Sequence, residues 1–364
     1  MAWVNGLQDV VAAHTEISEV DGEAGRISYR GMLMNQLVGK ASYEEVAHLL
    51  WTGHLPSREE RDDLVRSFQA GHQIAENVVD VMNHLPAKMD LMDAATIGLL
   101  SLDVPENLNK VSQAAFYTSA FPVLLLMHYA KQKGVPFIGP RNDLGHVANY
   151  LWMQTGGEEP HERSVKVLEA YMILTMEHSL NASAFAGRVA ASTRATMQRA
   201  LAAAMMAMTG ELHGGAPSQV IDMFNEIETE ENAESWLRDR LAQGQRIMGF
   251  GHRIYRTLDP RARVLRDIAV EALKGQEALK LAQVVEDKAT ELLATHKPGR
   301  RLFTNVEYWA ACVLRALQIP PELYTPTFSA SRIVGWSAHI LEQQDVDKLI
   351  RPKALYVGTN HELE

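Results

Sequence analysis

The chain has 364 residues, 46% hydrophobic and 22% charged, which is ordinary for a globular protein and long enough to bury a large core without disulfide or metal staples. Its one cysteine, Cys312, excludes an internal disulfide, a zinc ribbon and a cysteine-ligated iron–sulfur cluster. A net charge of −10 argues against general nucleic-acid binding. No apolar run reaches the ~18 residues of a membrane span, and no segment reads as a signal peptide, so a cytoplasmic location is expected.

In chain order, Val10–Val20 alternates loosely, Asp21-Gly22 and Gly25 turn the chain, and Ile27–Tyr29 returns, which predicts a short β segment. Almost everything after it reads helical. Ser42-x-x-Glu45 and Ser57-x-x-Glu60 are capping boxes, with Gly53 as the stop between them. Ala114–Tyr129 is too apolar for a surface helix. Val165–Arg188 reads as one helix, with His178 and Asn181 inside it, and Leu201–Met208 as another ending at Gly210. Beyond residue 215, amphipathic segments alternate with glycine or proline breaks: Trp236–Leu241, Arg261–Leu273 opened by Asp259-Pro260, Leu281–Leu293, Val306–Leu317 and Phe328–Leu341. The lone thiol in Ala310–Leu314 reads as inert and buried.

Four places put polar groups where a plain core would not. Leu212–Ser218 sets His213 between a helix end and a helix start, either as a packed turn or as an oriented imidazole. Met248–Arg253 is a glycine loop carrying His252, lacking the third glycine of a dinucleotide fingerprint. It is expected to be flexible and to expose backbone N–H groups. It lies in a stretch, 238–266, with eight Arg, no Lys and two Asp, which is either a solvated surface or an anion site. Arg261 sits in the first turn of the next helix, a place that suits a carboxylate ligand better than a bare cation. Thr304-x-x-Glu307 is a capping box on the bland reading and a general base at a helix start on the other. Arg332 interrupts an apolar helix and needs an anion, either an internal acid or a substrate carboxylate. His178 is a core imidazole or a ligand. No nucleophile elbow, phosphate-binding Walker loop or zinc helix occurs, and the 14 histidines show no metal-ligand spacing.

Seven segments in order resemble the citrate synthase family over nearly the whole chain. They are Asp21-Gly22-Glu23 through Tyr29-Arg30-Gly31, Glu177-His178-Ser179-Leu180-Asn181-Ala182-Ser183, Leu212–Ser218, Met248–Arg253, Asp259-Pro260-Arg261-Ala262, Asn305-Val306-Glu307, and Arg332 through Gly335-Trp336. The resemblance implies an all-α, citrate synthase-like fold with a short N-terminal β segment. A large helical domain (1–215 and 319–364) and a small one (216–318) would close over substrate, in a short, bacterial-type homodimer. It also implies an acyltransferase of the tricarboxylic acid cycle that condenses acetyl-CoA with oxaloacetate and water. Acetyl-CoA would be a co-substrate, with no permanently bound cofactor and no metal.

By the same resemblance His213 would hydrogen-bond the thioester oxygen, His252 would polarise the oxaloacetate ketone and Glu307 would be the base. His178, Arg261 and Arg332 would hold carboxylates, and Arg351 would complete the site of the partner subunit. The loop at Gly249 and Gly251 would receive the CoA adenine, with Arg256, Lys297 and Arg300 on its phosphates. Most of the family has Asp where this chain has Glu307. The extra methylene displaces the carboxylate by roughly 1 Å, enough for about a 10²-fold loss if nothing compensates. The alternatives are a 2-methylcitrate synthase using propionyl-CoA, or a catalytically weak paralogue that binds dicarboxylate and CoA.

Overall fold

The computed structural model describes residues 4–7, 10–105, 107–214, 216–251, 255, 257–296 and 302–359. Three strands, β1 (Ser18–Asp21), β2 (Arg26–Tyr29) and β3 (Met32–Leu33), form an antiparallel sheet in that order, with Ser18 opposite Tyr29 and Ser28 opposite Leu33. Only the end of the expected Val10–Val20 strand is paired: the ladder runs from Ser18, and Ile17 adds one bond by accepting the Arg30 N–H at 2.9 Å.

The helices of the first part are α1 (Met34–Leu37), α2 (Tyr43–Thr52), α3 (Arg58–His72), α4 (Glu76–His84), α5 (Leu91–Leu100), α6 (Lys110–Lys133), α7 (His146–Thr155), α8 (Glu162–Thr175), α9 (Ala182–Ser192) and α10 (Met197–Met208). Both expected capping boxes are formed, and Gly53 ends α2 in the left-handed region. In α6, every residue from Ala114 to Leu126 is buried, including Pro122, so it runs through the core with α3, α5 and α16 around it.

The helices that follow are α11 (Ala216–Ile227), α12 (Glu230–Ala242), α13 (Pro260–Ala272), α14 (Glu277–His296), α15 (Val306–Ala316) and α16 (Tyr324–Val346). Asp259 caps α13 and Pro260 fills its first position, as the sequence predicts. Around α8 the two halves of the chain meet: α13 and α15 pack against it, and so does α16. That junction places the site.

Two expectations fail here. Val165–Arg188 is not one helix: α8 stops at Thr175, residues 176–181 are irregular, and α9 begins at Ala182. Glu177, with Ser179 in the left-handed region at φ 54°, lies in that break, and Asn181 caps the new helix through Ala184 N–H. Nor is Thr304 the cap of α15. Asn305 Oδ1 accepts the Tyr308 N–H, whereas Thr304 donates to buried Glu286 at 2.5 Å. Glu307 therefore stands at the second helical position with its carboxylate released from capping.

Candidate active site

The break at 176–181 is held from three sides. Tyr29 Oη accepts the Glu177 N–H at 3.1 Å and lies 3.0 Å from the carbonyls of Ile173 and Glu177. Ser18 Oγ accepts the Ser179 N–H at 3.1 Å and donates to Glu177 Oε1 at 2.9 Å. From α16, Gly335 allows the closest approach, since a Cβ there would collide with Glu177 Oε2 and the Met176 carbonyl.

Behind this loop runs a buried polar chain. Arg188 donates to His339 Nδ1 at 3.1 Å and to Gln343 at 3.2 Å, and pairs with Glu342. A guanidinium only donates, so His339 Nδ1 accepts and its Nε2–H points at Glu177 Oε1, 3.1 Å away. Burial pushes the fully buried Glu177 up, but His339, Arg332 and Ser18 outweigh it and hold the carboxyl below the usual range.

His213 belongs to the same cluster. Its Nε2 lies 2.8 Å from Ser183 Oγ and 3.4 Å from the Ser183 backbone N–H. Ser183 Oγ accepts from Trp336 Nε1 at 2.9 Å and donates to Asn181 Oδ1 at 2.7 Å. Ser183 thereby fixes the Nε2 edge of the His213 ring. Burial, then the Arg332 charge, lowers the His213 pKa, so the ring is a neutral donor.

Arg332 on α16 is buried, donates from Nε to the Thr175 carbonyl at 2.7 Å, and stacks over Phe328 with its guanidinium 4.6 Å from the ring centroid. No carboxylate among the described residues lies within ion-pair distance of it. Burial pulls its pKa down despite Glu177, and the nearby Arg261 pulls it further. A buried cation so poorly compensated is an anion site waiting for its anion.

Arg261 has found its own carboxylate. Asp259 takes its Nε and Nη2 at 3.1 and 2.8 Å, accepts the Arg261 N–H at 3.0 Å, and accepts the Val306 N–H at 3.0 Å. One buried aspartate thus ties the start of α13 to the start of α15, setting Arg261 beside Glu307. The Arg261 guanidinium lies 5.6 Å from the Tyr255 ring centroid, and Tyr255 Oη is 3.4 Å from His178 Nε2.

Glu307 lines one narrow cavity of about 30 Å³ with Thr175, His213, Gly214, Val306, Ala310 and Phe328. Its Oε2 is shut off from solvent and has no hydrogen-bond partner among the described residues. Burial pushes its pKa up, and Arg261 only partly opposes this.

The glycine loop differs from expectation. Gly251 N–H donates to Phe303 O at 2.8 Å and Asn305 N–H to Gly249 O at 2.9 Å, so the described part of the loop is pinned to the start of α15 rather than free to flex. Gly249, at φ 79°, abuts Tyr308, where a Cβ would come within 2.8 Å of the tyrosine Cβ. His252, Arg256, Lys297 and Arg300 lie outside the described residues. Arg351 is exposed in the extended C-terminal segment, with no ion pair inside this chain among the described residues. The structure therefore brings His213, Glu307, Arg332, Arg261 and His178 together and leaves Arg351 apart. Cys312 is buried, as expected, and burial raises its thiol pKa well above the usual value. Ser18, Arg188 and His339 had no local signal. Tyr29, Ser183 and Trp336 stood inside the quoted segments without an assigned role.

The family model "Citrate synthase, C-terminal domain" matches residues 6–353. The citrate synthase of Haloferax volcanii is 34% identical over 365 residues, covering 97% of this chain and 95% of its own length. The crystal structure of citrate synthase from Pyrobaculum aerophilum superposes with a TM-score of 0.90 at 31% identity, covering all of this chain and 94% of that one. The Thermoplasma acidophilum citrate synthase in ternary complex with carboxymethyl coenzyme A and oxaloacetate gives a TM-score of 0.86 at 27% identity, covering 99% of this chain and 97% of that one. The chain belongs to the citrate synthase family and is an all-α acyltransferase of the citrate (Si)-synthase type.

Proposed function

We propose that the protein condenses acetyl-CoA with oxaloacetate and water to give citrate and free CoA. The observation that carries this reading is the narrow cavity shared by Glu307 and His213: a carboxylate whose buried Oε2 has no partner among the described residues faces a space also lined by a neutral imidazole. Removing a proton from a thioester methyl needs both at once, a base for the proton and a donor for the charge that moves onto oxygen.

Glu307 Oε2 takes the methyl proton, and its raised pKa makes it a better base than a solvated glutamate. His213 donates a hydrogen bond to the thioester oxygen while Ser183 holds the Nε2 edge of its ring. The enol carbon then attacks the ketone carbon of oxaloacetate, and His252, by resemblance, donates to the forming alkoxide. Arg332, the unengaged Nη1 of Arg261, His178 and the partner subunit's Arg351 receive the carboxylates, as charge-assisted hydrogen bonds orient best. Water then cleaves the thioester of citryl-CoA. In the same reading, residues 216–318 form a small domain that closes on the rest to exclude water, the assembly is a homodimer in the cytoplasm, and the CoA phosphates meet Arg256, Lys297 and Arg300.

The ternary complex of the Thermoplasma relative, with a CoA derivative and oxaloacetate, supports this substrate pair. A hydrophobic pocket discriminates one methylene by about 10–200-fold. Free-thiol release with oxaloacetate and either acetyl-CoA or propionyl-CoA tests it, beside Glu307→Gln. Acetyl-CoA is expected to react at least about tenfold faster. A faster propionyl reaction would make the protein a 2-methylcitrate synthase, and an unaltered Glu307→Gln rate would remove Glu307 as the base.

A further inference from the structure

The turn joining α2 to α3 gathers two imidazoles and a carboxylate that the condensation does not use. His48 is in the last part of α2, His54 in the turn and Glu60 in the first turn of α3, with one ligand atom from each lying within 4.8 Å of the others. Spacings of six residues match no helical ligand pattern, so only the fold reveals the cluster.

Its polarity is what matters. His48 Nδ1 is 3.0 Å from the His54 carbonyl oxygen, which only accepts, so Nδ1 carries a proton and, in the neutral ring, Nε2 presents its lone pair. That lone pair faces Glu60 Oε1 at 4.0 Å. The Glu60 carboxylate is held ionised: Oε2 accepts the Ser57 N–H at 2.8 Å and Oε1 meets His54 Nε2 at 3.0 Å. A lone pair and a carboxylate facing one another repel unless positive charge stands between them. His48 is buried and cannot turn away, whereas His54 is exposed and can swing.

We propose that His48 Nε2, His54 Nε2 and Glu60 Oε1 form a binding site for a zinc-type divalent transition-metal ion. Ligands about 2.0–2.1 Å from a tetrahedral zinc stand about 3.3 Å from one another. Two of the three separations, 3.0 and 4.0 Å, bracket that spacing, and the third is within 4.8 Å, which a swing of the exposed His54 ring closes. The carbonyl on His48 Nδ1 is the outer partner that metal-bound imidazoles use to fix their tautomer. A nitrogen-rich donor set suits zinc better than magnesium or calcium. Beside the cluster a depression of about 360 Å³, lined in part by Asp63, Ser67 and Lys110, leaves room for a fourth ligand such as water. The ion staples the α2–α3 turn. α2 in turn braces α16, the helix of Arg332, through Tyr43 Oη to the Ala330 carbonyl at 3.0 Å and Trp51 Nε1 to Ser337 Oγ at 2.8 Å.

The test is calorimetric titration of chelator-stripped, untagged full-length protein with zinc chloride, with thermal unfolding followed in parallel. One equivalent bound and a raised Tm are expected, with X-ray absorption at the zinc edge showing two imidazoles and no sulfur. His54→Ala removes an exposed ring, and is expected to weaken binding by more than about tenfold and abolish the Tm rise. His84→Ala, an exposed histidine on α4, is expected to change neither. Absence of saturable zinc binding, meaning that only a proton fills the gap, overturns the proposal. So does a His54→Ala titration that superimposes on the wild type.

Discussion

Glu307 shows how much of the chemistry rests on a single side-chain length. Folding surrounds it with Val306, Ala310 and Phe328, leaving Oε2 without a partner among the described residues and its pKa raised. With ionised Glu307 as the proposed base, kcat is expected to fall as pH drops through that raised pKa, with the acid limb above the ordinary carboxylate range. Glu307→Asp, the residue common in the family, withdraws the carboxylate from a cavity shaped for Glu. A loss of kcat of about 10²-fold is expected, with the oxaloacetate KM changed much less. Steady-state kinetics with acetyl-CoA in excess measures both, and an undiminished kcat would mean that the cavity tolerates either length. Ser183 acts through another residue. Ser183→Ala leaves His213 Nε2 without its hydroxyl and is expected to lower kcat about 10-fold or more, since a loosened ring is no longer held in line with the thioester. The sign that ring orientation, rather than folding, is responsible is partial rescue by Ser183→Thr with an unchanged circular dichroism spectrum.

At the level of elements, the break between α8 and α9 matters more than any helix. Its polar backbone is met by Tyr29 and Ser18 of the β segment, and His339 of α16 holds the Glu177 carboxylate, so the β segment, marginal as structure, anchors the loop that carries His178. Gly335 is the point where α16 admits that loop. Gly335→Ala drives a methyl into Glu177 Oε2, and overpacking of that kind costs about 1–3 kcal/mol. Its expected signature is a lowered Tm together with an oxaloacetate KM raised several-fold or more, read by thermal unfolding and kinetics on one preparation. A drop in Tm with an unaltered KM would separate the loop from substrate binding. Asp259 does the corresponding work between α13 and α15, where one carboxylate caps, pairs and bridges.

For the whole molecule, two buried histidines couple stability to pH. Burial lowers His72 to about 4 and His146 to about 3, the latter also repelled by His72. Above pH 6.5 neither state binds these protons and the folded chain keeps full stability. As pH falls below 6.5, the unfolded chain takes up protons that the folded one refuses, and stability is lost by about 1.4 kcal/mol per pH unit per group. Glu169, pushed up to about 7 by burial and by Glu44 and Glu45, runs the other way. The readable quantity is therefore a difference. Urea midpoints between pH 7 and 5 are expected to fall less steeply for His146→Leu than for the wild type, and parallel slopes would refute the assignment. Closure belongs to this scale too. Oxaloacetate is expected to reduce the radius of gyration in solution scattering, and no change at saturation would count against a closing small domain.

The sequence by itself determined the helical class, the two capping boxes, the Asp259-Pro260 start of α13 and the residues His213, Arg261, Glu307 and Arg332. Helix starts and stops are set by neighbours within four residues, and a polar group in an apolar run is visible without coordinates. The helix break at 176–181 was illegible because Glu177 and His178 sit in an apolar run of helical period. What stops the helix is Tyr29 and Ser18, about 150 residues away. The capping role expected of Glu307 failed for a similar reason, since Thr304 is drawn off to Glu286 and Asn305 caps in its place. Only the tertiary structure decided which of these groups would share a cavity, which buried arginine would lack a counter-ion among the described residues and which side chain would hold the His213 ring. Those are properties of burial and of partners distant in the chain, and local spacing carries no record of either.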